Sequence, residues 1–314
     1  MHPFSSAGYW RTHMPRLLSG IVQLRQQFLR SVRIDADYGR SDALDGFVLQ
    51  PSARTAIETL ARHINETQQR AFTWTGPYGG GKSSLALALC SLVSYEKKIQ
   101  ESAKTVLDLH RGDPILRAFN ASPQIGWAVL PIVGKRASVE REIAMEIDRL
   151  PYRRKRVGKE RDRDVIAELT SLAESNAHNG VLVVIDELGK FLEFSAQTSG
   201  DIYFYQQLAE AACRTRGKLV VVGILHQAFE QYATRLGGES RDEWAKVQGR
   251  FVDISLTAGS DEIIDLIGKA IDSKNMPHQE TRVIAETIAK SIGERRPVKG
   301  GVKLSHCGGV KAGQ

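Results

Sequence analysis

With 314 residues, 42% of them hydrophobic and 25% charged, the chain has material for one large α/β domain plus a smaller appendage and is not a peptide-sized module. The formal charge of +7 and pI near 9.3 tolerate a polyanionic partner without requiring one. The three cysteines, Cys90, Cys213 and Cys307, lack metal-type spacing, and no apolar stretch approaches the roughly 20 residues that span a bilayer, so the expectation is a cytoplasmic protein with reduced thiols and no membrane partner.

In chain order, Leu17, Ile21, Leu24 and Phe28 recur at helical spacing, and Ile57, Leu60 and Ile64 do so after Pro51-Ser52, which predicts two helices. Between them, residues 41–51 form a turn-rich stretch with a short apolar insert. It reads either as a plain connection or as a segment lying over a nucleotide base. Ala71 to Thr75 predicts a buried strand, and Ser84 to Leu89 a buried helix. Trp127 to Val133 reads as a strand, and Val139, Ile143, Ile147 and Leu150 as one face of a helix.

The densest positive charge follows in Arg153-Arg154-Lys155-Arg156, with Lys159, Arg161 and Arg163 close behind. Phosphates of DNA or RNA are one partner for such a run, and a solvated loop, diluted by Glu160, Asp162 and Asp164, is the other reading. A helix over Val165, Ile166, Leu169 and Leu172 leads to the apolar strand Val181 to Ile185, then a helix marked by Phe204, Leu208 and Ala211 leads to the strand from Lys218 to Leu225. Phe251 to Leu256 is one more short strand. Ile264, Ile267 and Ile271, then Ile284, Ile288 and Ile292, open a helical region ahead of a glycine- and lysine-rich tail that cannot bury a core. Strand and helix alternate from residue 71 to 225, which predicts a parallel sheet covered by helices on both faces, with its ligand at the carboxyl ends of the strands.

Gly76-Pro77-Tyr78-Gly79-Gly80-Gly81-Lys82-Ser83 fits G-x-x-x-x-G-K-[ST] between a predicted strand and a predicted helix, the context a phosphate-binding loop needs. The glycines let backbone N–H groups close on a β-phosphate, the helix start adds its positive end, Lys82 reaches the β/γ oxygens, and Ser83, followed by Ser84, is left for Mg²⁺. Such a loop needs a carboxylate at the end of a neighbouring buried strand, and Asp186 stands there. Glu187 follows, placed to deprotonate a water that attacks the γ-phosphate. The alternative is that both acids merely cap the next helix.

These motifs, with Val222-Gly223-Ile224-Leu225-His226 and Gly249-Arg250-Phe251, make the chain resemble an AAA+-type P-loop ATPase, nearest the origin-recognition and cell-division-control branch, over residues 40–272. The resemblance implies ATP and Mg²⁺ as ligands, a γ-phosphate sensor at His226 with Gln227 beside it, where that family carries Asn or Thr, and an arginine finger at Arg250 that completes a neighbouring subunit's site. A structural histidine and a surface arginine capping a strand are the competing assignments. The stretches Asp186-Glu187-Leu188-Gly189-Lys190-Phe191-Leu192-Glu193, His226-Gln227-Ala228-Phe229-Glu230 and Trp244 to Phe251 are more loosely similar to ATP-binding proteins of bacterial genome-defence loci.

The expected layout is an N-terminal helical extension over residues 1–40, a P-loop ATPase core over 41–257, an incomplete helical lid over 258–294 with Arg282, Arg295 or Arg296 available to touch nucleotide, and a disordered tail over 295–314. The function this implies is an ATP hydrolase working as a homo-oligomer or with a partner ATPase subunit, and driving assembly or conformational change on DNA or a DNA-bound partner. A nucleotide-dependent switch or scaffold with little turnover is the alternative. Glu187 argues against a small-molecule kinase.

Overall fold

The computed structural model describes residues 22–120, 125–151, 163–198, 202–228, 231–232, 244–272, 282–283, 286 and 290. The chain divides into two compact units, one of residues 26–268 and one of the two chain ends, 1–25 with 269–314. In the unit formed by the ends, Gln23–Leu24 (β1) pairs antiparallel with Ile271–Asp272 (β7), and the Arg25 amide donates to the Ala270 carbonyl at 2.9 Å.

The larger unit is α/β. After a 3-10 turn at Gln26–Phe28 and a short helix Ile34–Asp37 (α1), it runs Pro51–Glu66 (α2), Ala71–Thr75 (β2), Lys82–Leu92 (α3), Lys97–Val106 (α4), Pro114–Ala118 (α5) and Ala128–Val133 (β3). It continues through Val139–Arg149 (α6), Val165–Glu174 (α7), Val181–Asp186 (β4), Leu188–Gln197 (α8), Tyr203–Arg214 (α9), Leu219–Leu225 (β5) and Val252–Ser255 (β6) to Ser260–Ala270 (α10).

The larger unit's sheet has five strands in the order β3-β4-β5-β2-β6, all parallel. Its strands are apolar throughout because both faces are covered, and side chains alternate between two cores. Phe72, Trp74, Leu182, Val184, Val220 and Val222 face the core built on α2 and α3. Val181, Val183, Ile185, Leu219 and Val221 face the core shared with α6 to α9. Each fully buried Val or Leu stabilises the fold by about 1.5–3 kcal/mol relative to exposure, so a one-residue slip of β4 would forfeit several such burials on each face. Parallel pairing with Thr75 opposite Leu225 and Ile185 beside Gly223 brings the carboxyl ends of β2, β5 and β4 side by side. The carboxyl ends of the strands are where parallel α/β sheets hold ligands.

Three expectations change. The expected helix does not continue through Leu24 and Phe28: Leu24 lies in β1 and Phe28 in the 3-10 turn, and with Leu24 56% and Leu29 64% exposed an apolar helical face there would have nothing to pack against, while Leu17 and Ile21 lie outside the described residues. Ile271 leaves the helical pattern for β7. Helices α4, α5 and α8 join the predicted set: α4 buries only Ile99, Gln100 and Ala103, a short stripe, and α8 carries Gly189 in its first turn. The basic run 153–161 and residues 284, 288, 292 and 295–314 lie outside the described residues, whereas Arg163 is held between Asp148 and Glu168 at 2.7 and 2.8 Å. Among the described residues no helix is long and apolar enough to cross a membrane.

Candidate functional site

A cavity of about 770 Å³ opens at the carboxyl ends of the central strands, walled by the loop 78–84, Asp186, Glu187 and His226, by residues 27, 28, 30–33, 43–48 and 50, and by Leu266 of α10. The turn-rich stretch after residue 41 therefore forms one wall of the cavity that contains the glycine loop. Glu262, one turn before Leu266, accepts from the Ser52 hydroxyl at 2.6 Å and the Ser52 amide at 3.2 Å, which fastens α10 to the start of α2.

The loop is built by glycine where a side chain would not fit. Gly81, at the N-cap of α3, has φ 76°, and a Cβ on Gly76 would stand 2.2 Å from the Leu256 carbonyl oxygen. Lys82, Ser83 and Ser84, the first residues of α3, line the cavity, and their amides have no preceding helical turn to bond them. Lys82 is 3% exposed, and its ammonium donates at 2.7 Å to each of the carbonyl oxygens of Gly76 and Pro77. Burial pushes this ammonium below the usual lysine value, with Asp186 opposing the shift.

Asp186 ends β4 and is 5% exposed. Burial raises its carboxyl above the ordinary range, opposed by the nearby Ser83 hydroxyl and by the hydrogen bond it accepts from the Glu187 amide at 2.9 Å. Ser83 and Asp186 thus bring two hard oxygen donors together beside Lys82. Among the described residues no group of three or more His, Cys, Asp or Glu is placed to hold a metal. Two protein oxygens are what Mg²⁺ takes when water and substrate phosphates complete its octahedron, so this pair fits that ion.

Glu187 occupies left-handed backbone space at φ 52°, ψ 40°, rare for a non-glycine residue and found where surrounding structure over-determines it. The constraint is visible: a Cβ on Gly134, at the end of β3, would lie 2.1 Å from the Glu187 carbonyl oxygen, and the Gly134 amide donates to the Asp186 carbonyl at 2.7 Å. The Glu187 side chain makes no capping bond to α8 and is ion-paired with Lys190 instead, which removes the helix-capping alternative for this residue.

His226 follows β5 between the other two strand ends, and its imidazole stacks on Tyr78 with centroids 3.6 Å apart and planes at 19°. Tyr78 is 77% exposed and covers it. Neither ring nitrogen has a hydrogen-bond partner. Burial first, then the charge of Lys82, lowers its pKa, and Lys190 adds to that effect while Glu187 opposes it, so the ring is neutral near pH 7 and keeps one N–H to donate. The Tyr232 ring packs on Gly189 of α8, with its hydroxyl beside the backbone that follows β5 at His226 and Gln227.

Gly76 to Ser84, Asp186, Glu187 and His226 therefore meet at one end of the sheet, and Arg250 does not join them. Arg250 precedes β6 at the amino-terminal end of the sheet, where its carbonyl accepts from Gln69 at 2.7 Å and its guanidinium pairs with Glu210 of α9 at 2.6 Å. Arg282 pairs with Glu286. Sequence reasoning missed Lys190, Gly134 and Tyr232. Lys190 was within reach, since a helix starting at Leu188 puts it three residues from Glu187 on the same face, whereas nothing local marks Gly134 or Tyr232. No protein-family model matches this chain, and no curated protein matches it significantly.

Proposed function

We propose that the chain is a Mg²⁺-dependent nucleoside triphosphatase of the P-loop type, with ATP as the substrate its AAA+ resemblance implies. The observation that carries the reading is the buried carboxyl of Asp186, pushed above its ordinary range by that burial, in the cavity that also holds Ser83, Lys82 and Glu187. A buried carboxylate beside a lysine and a glycine-rich helix start is costly in a ligand-free fold and is accounted for by a metal-bound polyphosphate.

In this reading the amides of residues 79–84 and Lys82 hold the β- and γ-phosphates, and Ser83 and Asp186 hold Mg²⁺. When bound, Mg²⁺ neutralises charge on the β- and γ-phosphate oxygens. Glu187 takes a proton from water as its oxygen bonds the γ-phosphorus and the β–γ anhydride bond breaks, releasing the diphosphate. Neutral His226 donates its N–H to a γ-oxygen. Arg250, remote from this cavity, acts on a neighbouring subunit's nucleotide, and turnover drives assembly or conformational change on DNA or a DNA-bound partner.

Calorimetric titration of ATP with and without Mg²⁺ tests the site: binding that needs Mg²⁺ and disappears in Lys82→Ala is expected, and a folded, Mg²⁺-supplemented sample without affinity would refute it. ATP turnover with and without duplex DNA across a salt series tests the partner, since phosphate contacts weaken as salt rises. The pairing of Glu187 with Lys190 favours a second reading, a slow switch whose bound state is what matters. A nucleotide-dependent assembly change that survives Glu187→Gln but not Lys82→Ala decides for the switch.

A further inference from the structure

Four cationic side chains line the cavity: Arg30, Arg33, Lys82 and Lys190. Arg30 is committed to buried Asp37, Arg33 to Asp35 at 2.8 Å, and Lys82 to two carbonyls of its own loop. Lys190 is held differently. Its side chain is 50% exposed and its ion-pair partner is Glu187, the carboxylate that the hydrolytic reading needs free to meet water.

The backbone beneath Lys190 is fixed. Its amide donates to the Glu187 carbonyl at 3.0 Å, the Leu188 side chain fills the space over Gly223 of β5, and the Tyr232 ring lies against Gly189. Only the lysine side chain is at liberty, and an ion pair this exposed is held weakly. Its charge also reaches the stacked imidazole across the cavity. On the assumption that the site takes a nucleoside triphosphate, we propose that Lys190 exchanges partners, leaving Glu187 for the γ-phosphate when a triphosphate occupies the cavity.

The exchange has a direction because a terminal phosphate carries more negative charge than one carboxylate and offers more acceptor oxygens. It also couples two events: the arriving γ-phosphate gains a cation supplied by the same chain, and Glu187 loses the ammonium that occupied it. A diphosphate has no group at that position, so Lys190 stays on Glu187. The lysine thereby distinguishes triphosphate from diphosphate and releases the base only for the former.

The test is equilibrium binding of ADP and of a β,γ-imido ATP analogue, each with Mg²⁺, to the full chain. Lys190→Ala is expected to lose about tenfold or more in affinity for the analogue, the size of one charge-assisted hydrogen bond, while ADP affinity stays within about twofold and reports that the variant is folded. Glu187→Gln, which removes the competing carboxylate, is expected to tighten analogue binding in the parent chain and not in the Lys190→Ala background. An unchanged analogue-to-ADP ratio in Lys190→Ala, or equal weakening of both nucleotides, overturns the exchange alone. A parent chain that binds neither nucleotide overturns the nucleotide site itself.

Discussion

Replacing Gly134 by alanine puts a methyl carbon 2.1 Å from the Glu187 carbonyl oxygen, where ordinary contact begins at 3.4 Å. The obstacle is backbone, so no rotamer relieves it. Gly134 cannot retreat without stretching its 2.7 Å bond to the Asp186 carbonyl, and the β3–β4 ladder is regular up to Val133 opposite Asp186. The displacement therefore falls on Glu187, whose backbone is already left-handed. Overpacking of this kind costs about 1–3 kcal/mol, which lowers the melting temperature by roughly 3–10 °C in a unit of this size. A misplacement of about 1 Å at a reacting group costs on the order of 100-fold in rate. Gly134→Ala is thus expected to bind Mg-ATP within about threefold of the parent and to turn it over about 100-fold more slowly, a loss concentrated in kcat. Gly259→Ala, whose new methyl meets nothing within 4 Å, is the control and should match the parent in both assays. Turnover of Gly134→Ala close to the parent's, with binding intact, would refute the claim that this glycine sets the position of the base.

Asp186→Asn keeps an oxygen to accept from the Glu187 amide and removes a buried charge. Because the folded chain holds the Asp186 proton more tightly than the unfolded chain, parent stability declines as pH climbs from the ordinary carboxylate range through the raised value, and the asparagine variant escapes that decline. Without nucleotide it should melt above the parent at pH 7, with the gap closing as pH falls below the ordinary carboxylate range; a gap independent of pH contradicts the assignment. Tyr78→Ala strips the ring from His226, and an NMR titration should show the imidazole pKa rising toward its ordinary value because burial is the first cause of its depression. No upward movement would mean the stack does not bury the ring. Arg250→Ala breaks a partly exposed, solvent-screened pair with Glu210 and should leave nucleotide affinity unchanged. Turnover should fall only where rate depends on protein concentration, and identical, concentration-independent rates in parent and variant exclude the finger role.

Much of the larger unit was legible because its signals are local. Five apolar residues before Asp186, and the run from Leu219 to Leu225, are long enough and bounded sharply enough to be strands buried on both faces. The glycine loop reads itself, since Gly81 supplies the positive φ and Lys82 starts the helix within the same eight residues. The misreading at Leu24 and Phe28 has the same root: spacing proposes an amphipathic face, but only a neighbour to bury it against makes a helix, and Leu24 is exposed and paired with Ile271 instead.

The sequence by itself determined the α/β alternation, the loop from Gly76 to Ser83 and the acidic pair that ends β4, because each is written in residue types a few positions apart. Tertiary structure alone decided that β5 lies between β2 and β4, and so that His226 meets Tyr78, that Gly134 presses on Glu187, that Lys190 lines the cavity of Lys82, and that Arg250 sits at the opposite end of the sheet. These are contacts between residues tens to more than a hundred positions apart, set by strand order and by which side chains fill the gaps, and no local spacing encodes them.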